Sequence, residues 1–580
     1  MQAAEAGTPA PRRGPANGPA NGLASRIARR LPARSLAWGA LSALAFALSF
    51  PLSEDFTAGW PLAFVWPALL AFAVRSAPRP ISLVLAVGAP FYLAFLAQQW
   101  WMRHITELGM PVLVLYLAGW TVILALVIRR MAALPMALVL PAALVAVEYL
   151  RGSLLCSGYA WFFAAHPLVE WTAVAQIAAL GGGWLVTALV GLVAGAAVDL
   201  VVRRDRAQAM SPATAVIALI AAVAYGHARI DAHDAAVRAT PRPRLLVVQT
   251  NLPMSNKLAW TPEQQVEDFI TFAKQTIDGA AAARDAGGPI DLALWPETTV
   301  PGLGLEPESI RMLVENGYYP GDRYEEALRD LAMRIDAPLL VGSPAYLGLR
   351  VEGNRFAWDH QFNSAYLVGS EGVLGRTDKI YLTPFGEIMP IISNWAWLES
   401  QLLALGADGM TFDLEEAKAA SAFGVESDSA GACSIAVPIC FEITQPWAAR
   451  RIVFPGGARA AGVVANLSND GWFAGSTAGR RQHLQVSQLR AIELGTPVIR
   501  CVNTGLSASI DAVGRVEAVL PPGRPGTFVA TPAPADGRPL AVSVGDGIAL
   551  AALALVLLGI ARGSRGGAGA LASVVTSVAT

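Results

Sequence analysis

Val437-Pro438-Ile439-Cys440-Phe441-Glu442 ends a short apolar run with a thiol. Taken alone, a cysteine in such a run is more often a packed core thiol than a nucleophile. Two upstream stretches change that reading: Trp295-Pro296-Glu297, and Asp378-Lys379 leading to Pro384-Phe385-Gly386-Glu387. Glu297, Lys379 and Cys440 each follow a strand-like run, so a carboxylate, an ammonium and a thiol fall at strand ends. An ordinary thiol has a pKa of about 8.5 and needs a base to attack near neutrality. Glu297 is the candidate general base, and Lys379 can stabilise the thiolate and then a tetrahedral oxyanion. The backbone N–H of Phe441, next after the nucleophile, is the natural second oxyanion donor.

The surroundings of these residues predict a layered α/β domain. The β-branched run 244–250 reads as a buried strand, and strand-like runs recur at 292–294, 338–342, 363–368, 434–439, 462–465 and 497–502. Helical patterns lie between several of them, at 262–278 (opened by Thr261 as N-cap, with Gln264 three residues on), 321–335 and 480–494. Ala365-Tyr366-Leu367-Val368 and Val373-Leu374-Gly375-Arg376, joined by Gly369-Ser370-Glu371-Gly372, read as a hairpin, so a mixed sheet is expected.

Part of the rest of the chain is expected in lipid. Of 580 residues 54% are hydrophobic and only 15% charged. Apolar stretches of spanning length are expected at 35–51, 59–74, 81–100, 111–128, 132–149, 170–202 and 212–227, with a last one at 543–561. The sixth is longer than one span requires and holds Gly181-Gly182-Gly183. Arginines gather before the first span and after the second, fourth, sixth and last (Arg29 and Arg30, Arg75 and Arg79, Arg129 and Arg130, Arg203 and Arg204, Arg562 and Arg565). By the positive-inside rule both termini are cytoplasmic and residues ~230–540 lie outside. The expected organisation is therefore a disordered cytoplasmic tail (1–34), a seven-span domain (35–228), a catalytic domain (242–535), a last transmembrane helix (543–562) and a cytoplasmic tail (563–580). No small-residue cleavage site follows the first apolar run, so it is read as a retained helix. A net charge of −1 argues against nucleic acid as partner. The four cysteines form no CxxC pair and no metal-ligating motif is visible, so neither a metal nor a cofactor is expected.

The combination LWPET (Glu297), GRTDKIYLTPFGE (Lys379) and PICFE (Cys440) resembles the nitrilase superfamily. With seven spans before the domain and one after, it resembles that superfamily's membrane-embedded branch, the apolipoprotein N-acyltransferases. Val248-Gln249-Thr250-Asn251, Ser468-Asn469-Asp470-Gly471-Trp472-Phe473, the stretch from Gln482-His483 to Gly495, Asn503-Thr504-Gly505 and Glu148-Tyr149-Leu150-Arg151-Gly152 extend the likeness. The resemblance implies an αββα sandwich and a ping-pong acyl transfer. In that reaction the cysteine takes an acyl chain from a phospholipid, with phosphatidylethanolamine as expected donor. The thioester then acylates the N-terminal α-amine of a diacylglyceryl apolipoprotein. It places the enzyme in a bacterial inner membrane with the catalytic domain on the periplasmic side. It also implies supporting roles for Glu387 and Glu442 and aromatic positions near the site mouth for Trp260 and Trp472. Phe441 departs from the tyrosine of some relatives, which removes any role needing a phenol hydroxyl.

Other features keep plainer readings. Trp395 and Trp397, in an apolar stretch directly after Glu387, suit a segment that dips toward the bilayer and guides acyl chains. Glu387 and Glu442 read equally as structural ion-pair partners. Cys156, Cys433 and Cys501 read as packed thiols, although Cys433 could pair with Cys501 or Cys440 in an oxidising compartment. His483 reads as structural and Arg151 as an interfacial anchor. A membrane-anchored amidase with water as acceptor, and a non-catalytic scaffold, are the competing functions.

Overall fold

A computed structural model describes residues 33–578 apart from 54–56, 58, 108, 203–205, 253–259, 385, 389–413, 428–429 and 474. The expected tail 1–34, all but its last two residues, lies outside the described residues, as do Trp395 and Trp397. Among the described residues five helices are long and apolar enough to cross a membrane. They are α3 (Pro80–Gln98), α4 (Gly109–Arg130), α5 (Met136–Ser157), α6 (Ala178–Val202) and the apolar stretch of α7 (Arg206–Ala239). Shorter apolar helices are α1 (Ala33–Ser49), α2 (Trp60–Ser76) and the last helix, Gly547–Arg562.

Two expected spans are redrawn. The run 170–202 divides into short turns at His166–Glu170 and Thr172–Ala175 before α6 begins. Within α6 the backbone breaks at Gly182, whose φ of +67° costs a glycine nothing. The Gly183 N–H, buried at this break, donates to Glu493 Oε2 at 3.3 Å. The run 212–227 belongs to a helix that continues to Ala239, because its alanine-rich sequence offers no stop signal. Its extension reaches the catalytic domain, where Asp234 pairs with Arg515 at 2.5 Å and Arg229 donates to the carbonyl of Ile492 at 3.3 Å.

α5 and α6 pack with their backbones nearly touching, as small residues in membrane helices permit. A Cβ on Gly195 would sit 2.2 Å from the carbonyl oxygen of Met136, and one on Gly191 2.6 Å from Pro141. Asp199, one turn on from Gly195, accepts the N–H groups of Met136 and Ala137 at 2.9 and 3.0 Å and caps the start of α5.

The catalytic domain stacks two six-stranded mixed sheets. Its elements are β1 (Leu245–Gln249), α8 (Pro262–Gly287), β2 (Leu292–Leu294), α9 (Arg323–Ile335), β3 (Leu339–Leu347), β4 (His360–Gly369), β5 (Gly372–Asp378), β6 (Phe423–Ser427), β7 (Gly431–Ala436), α10 (Pro446–Val453), β8 (Val463–Ser468), α11 (Thr477–Leu494), β9 (Val498–Val502), β10 (Ala508–Ile510), β11 (Val516–Val519) and β12 (Gly526–Ala530). The first sheet runs β12-β1-β2-β3-β4-β5 and the second β11-β10-β9-β8-β7-β6. The expected hairpin is β4–β5, antiparallel, and the capping box at Thr261 and Gln264 is formed. Leu245 and Val247 point between the sheets while Leu246 and Val248 meet α8. Helices α8 and α9 cover one sheet, and α10 and α11 the other. This gives the αββα layering. The sequence reading placed no strand in 508–530, where β10 to β12 lie; β11 alternates half-buried and exposed positions, a weak apolar signal.

Gly195→Leu is expected to cost about 3 kcal/mol or more, since backbone cannot yield to a side chain. Monodisperse protein should be lost on size exclusion in detergent. Gly119→Ala, with open space around its Cβ, should leave the thermal midpoint unchanged or raised.

Candidate active site

The three strand-end residues converge. Glu297 lies just past β2, Lys379 directly past β5, and Cys440 opens a 3-10 turn just past β7. Lys379 is 0% exposed; its Nζ lies 2.6 Å from Glu387 Oε2 and 3.9 Å from Glu297 Oε1. Asn363 on β4 donates to both carboxylates, at 2.9 Å to Glu297 and 3.2 Å to Glu387. The N–H of Thr383 adds a bond to Glu387 Oε2 at 2.8 Å.

Glu442 ties the lysine loop to the cysteine loop. Its Oε1 accepts the N–H groups of Ile380 and Tyr381 at 2.6 and 3.0 Å, and its Oε2 accepts that of Ile439 at 2.6 Å. Cys440 itself has φ +53°, a left-handed conformation that costs a non-glycine residue on the order of 1–2 kcal/mol. Asn466 on β8 helps to hold it, donating to the carbonyls of Pro438 and Cys440 at 2.9 and 3.2 Å. Ser468 Oγ lies 3.5 Å from the Cys440 thiol, and the Glu297 carboxylate acts on that thiol electrostatically. All four cysteines are free, so neither Cys433 nor Cys501 engages the thiol of Cys440.

Electrostatics assign the resting state. Burial pushes the Cys440 thiol above its usual range, Glu297 adds to this, and Lys379 and Ser468 only partly offset it. The thiol therefore rests protonated. Burial would pull Lys379 down, but Glu387, then Glu297, outweigh it, so the ammonium is held above its ordinary value. Burial would lift Glu387, yet Lys379 and the Thr383 bonds hold it below the usual carboxylate range. Glu442 is lifted by burial to about 7 against the pull of Lys379 and its three backbone donors.

The Phe441 ring forms the joint with the membrane helices. It stacks on Trp161 with centroids 5.9 Å apart and on Tyr159 at 6.0 Å, both in the loop after α5. Its neighbour Tyr381 donates to the carbonyl of Gly158 at 2.7 Å. Gln445 Nε2 reaches the carbonyl of Gly152 at 2.8 Å. Arg151 does not stand at an interface: it is 6% exposed and turned inward onto the carbonyls of Tyr159 and Phe162.

The outlying aromatics fit less directly. Trp260 commits its indole N–H to Asp268 at 2.9 Å rather than to a group of the triad. Trp472 is half-buried in the 3-10 turn Asp470–Phe473. Sequence reasoning missed Asn363, Asn466, Ser468 and Arg500 as parts of the site. Their signal within the strands is polarity at otherwise apolar positions, and most of their partners lie far off in sequence.

Two stacked mixed sheets, with Glu, Lys and Cys brought together at their strand ends, place the chain in the carbon-nitrogen hydrolase class. Residues 245–541 match the Carbon-nitrogen hydrolase family, and residues 39–196 match the Apolipoprotein N-acyltransferase N-terminal domain. The chain is 31% identical over 501 residues to the apolipoprotein N-acyltransferase of Azotobacter vinelandii, spanning 83% of this chain and 87% of the relative. It is 26% identical over 502 residues to that of Geobacter metallireducens, spanning 83% and 86%. A carbon-nitrogen hydrolase structure from Helicobacter pylori aligns over 50% of this chain and 89% of its own, at 12% identity and a TM-score of 0.32. The chain belongs to the apolipoprotein N-acyltransferase family of carbon-nitrogen hydrolases.

Because the thiol rests protonated, alkylation of Cys440 by iodoacetamide should be slow at pH 7 and rise about tenfold per pH unit through pH 9. Peptide mass spectrometry reads the modified fraction. A plateau reached by pH 7 would contradict the assignment.

Proposed function

We propose that this chain transfers an acyl chain from a membrane phospholipid, through a thioester on Cys440, to the N-terminal α-amine of diacylglyceryl-cysteine in apolipoproteins. The observation that carries this reading is the joint at Phe441. The residue next to the nucleophile stacks on Trp161 and Tyr159 of the membrane-helix loop, so the reacting sulfur lies beside the part of the protein that meets lipid. A water-using amidase has no need of that arrangement.

In the first half-reaction Glu297 takes the thiol proton as sulfur attacks the ester carbonyl. Lys379 and the Phe441 N–H stabilise the oxyanion. The ester C–O bond then breaks, and Glu297 returns the proton to the leaving lysophospholipid oxygen. In the second, the lipoprotein amine attacks the thioester, Glu297 accepts its proton, the C–S bond breaks, and Glu297 passes the proton to the departing sulfur to regenerate the thiol. Glu387 orients Lys379, and Glu442 holds the lysine and cysteine loops in register. Trp260, Trp472, Trp395 and Trp397 contact the substrates, with phosphatidylethanolamine as the donor.

The same reading divides the chain into eight spans around a catalytic domain at 242–535. The arginine pattern supports cytoplasmic termini and a catalytic domain on the periplasmic face of the inner membrane.

Incubation with phosphatidylethanolamine and a diacylglyceryl model peptide should add one amide-linked acyl chain to the peptide by mass spectrometry. Cys440→Ser should abolish that addition. Release of free fatty acid without N-acylated peptide would favour the amidase. Replacing Trp395 and Trp397 together with Asp should lower phospholipid turnover at least tenfold while thermal unfolding is unchanged; unaltered turnover would remove them from the lipid path.

A further inference from the structure

Ser468 ends β8 and is fully buried, with its hydroxyl between two acceptors: Cys440 Sγ at 3.5 Å and Asp470 Oδ1 at 3.2 Å. One hydroxyl hydrogen can serve only one of them at a time. While the sulfur is a neutral thiol or thioester it is a weak acceptor, and the carboxylate takes the hydrogen. When the sulfur is anionic, rotation about a single C–O bond turns the hydrogen to it, as a charge-assisted hydrogen bond.

We propose that Ser468 is a further catalytic residue, donating to the Cys440 sulfur only in the charged states that precede acylation and follow thioester cleavage, with Asp470 and Arg500 as its positioning residues. The proposal rests on the reading of Cys440 as nucleophile. A donor engaged only where charge develops lowers the barrier without tightening the ground state.

The support for Ser468 is rigid. Arg500, 0% exposed on β9, directs Nη2 to both oxygens of Asp470, at 3.1 and 3.4 Å. His483 Nδ1 lies 3.0 Å from Asp470 Oδ1. Through Nη1 the same guanidinium bonds Asn466 Oδ1 at 3.0 Å, and Asn466 holds the carbonyls of Pro438 and Cys440. One buried cation thus anchors both the donor to the sulfur and the left-handed turn that presents it. Asp470 stays ionised: burial would lift it, but Arg500 and His483 hold it at about 2. The charged and titratable groups around the thiol are then Glu297 and Lys379 from the first sheet, and Asp470, His483 and Arg500 from the second sheet and α11.

The test is the rate of Cys440 alkylation by iodoacetamide from pH 6 to 10 in full-length, detergent-purified protein, read on the Cys440 peptide. Ser468→Ala should displace the line of log rate against pH toward higher pH by about one unit, a tenfold slower rate at any given pH. Ser468→Thr, which keeps the hydroxyl, should return to within about threefold of the parent. In acyl transfer, Ser468→Ala should lower kcat about tenfold and leave KM for phospholipid unmoved. A Ser468→Ala line superposing on the parent overturns the proposal. Should that variant not fold, Ser468→Cys under reductant, with its weaker donor, must be displaced in the same direction or the proposal falls. Acyl transfer surviving in Cys440→Ser would instead sink the reading of the nucleophile, while the alkylation lines would still report on the serine.

Discussion

A fully buried ammonium at the end of β5 sets the terms for the rest of the catalytic domain. An unpaired Lys379 would be far too costly to bury, so the fold must bring carboxylates to it from distant segments. Glu387 supplies the close contact and Glu297 the longer one, with Asn363 bridging the two. Removing one partner of such a cluster typically costs on the order of 3–5 kcal/mol, because the other charge is left stranded. The same requirement that satisfies the lysine gathers Glu297, Glu387 and the ammonium into one small volume beside the Cys440 loop. Stability and chemistry here depend on the same contacts.

The second constraint is the seam between the two parts of the molecule. Beyond the stack on Phe441, Gln482 on α11 joins Trp161 Nε1 at 2.7 Å to Gln98 of α3, also at 2.7 Å. Arg490 pairs with Glu493, which in turn takes the Gly183 N–H in the broken turn of α6. α7 carries its helix without interruption into contact with Asp511 and Arg515. Helix α11 therefore serves two partners: it covers the second sheet and docks on the membrane helices. That double duty explains why almost all of it is buried and why its apolar face is hard to pick out by periodicity.

Much of this could be read in advance. Each apolar helix stands where the hydropathy pattern puts one. Strands β1 to β5 and β7 to β9 follow from runs of apolar and β-branched residues, and the cap at Thr261 from local hydrogen-bonding chemistry. Local signals failed at β10 to β12, which owe their conformation to pairing with already buried neighbours. They failed again at the start of α6 and the end of α7. There the run before α6 folds as two short turns, and α7 continues as a polar extension whose partners lie some 280 residues away. The inward turn of Arg151 was equally illegible, because its acceptors are backbone carbonyls of a loop with no distinctive sequence.

By itself the sequence determined which carboxylate, ammonium and thiol stand at strand ends, since residue type and strand periodicity are local properties. Only the tertiary structure decided how those groups are charged and aimed. The protonated resting thiol, the ionised Glu387 and the left-handed turn at Cys440 arise from burial and from contacts between segments far apart in the chain. The hydroxyl of Ser468 beside the sulfur belongs to the same class of fact. It exists because β8 lies next to β7 in the sheet, a pairing set by the packing of two sheets and four covering helices rather than by any short stretch of residues.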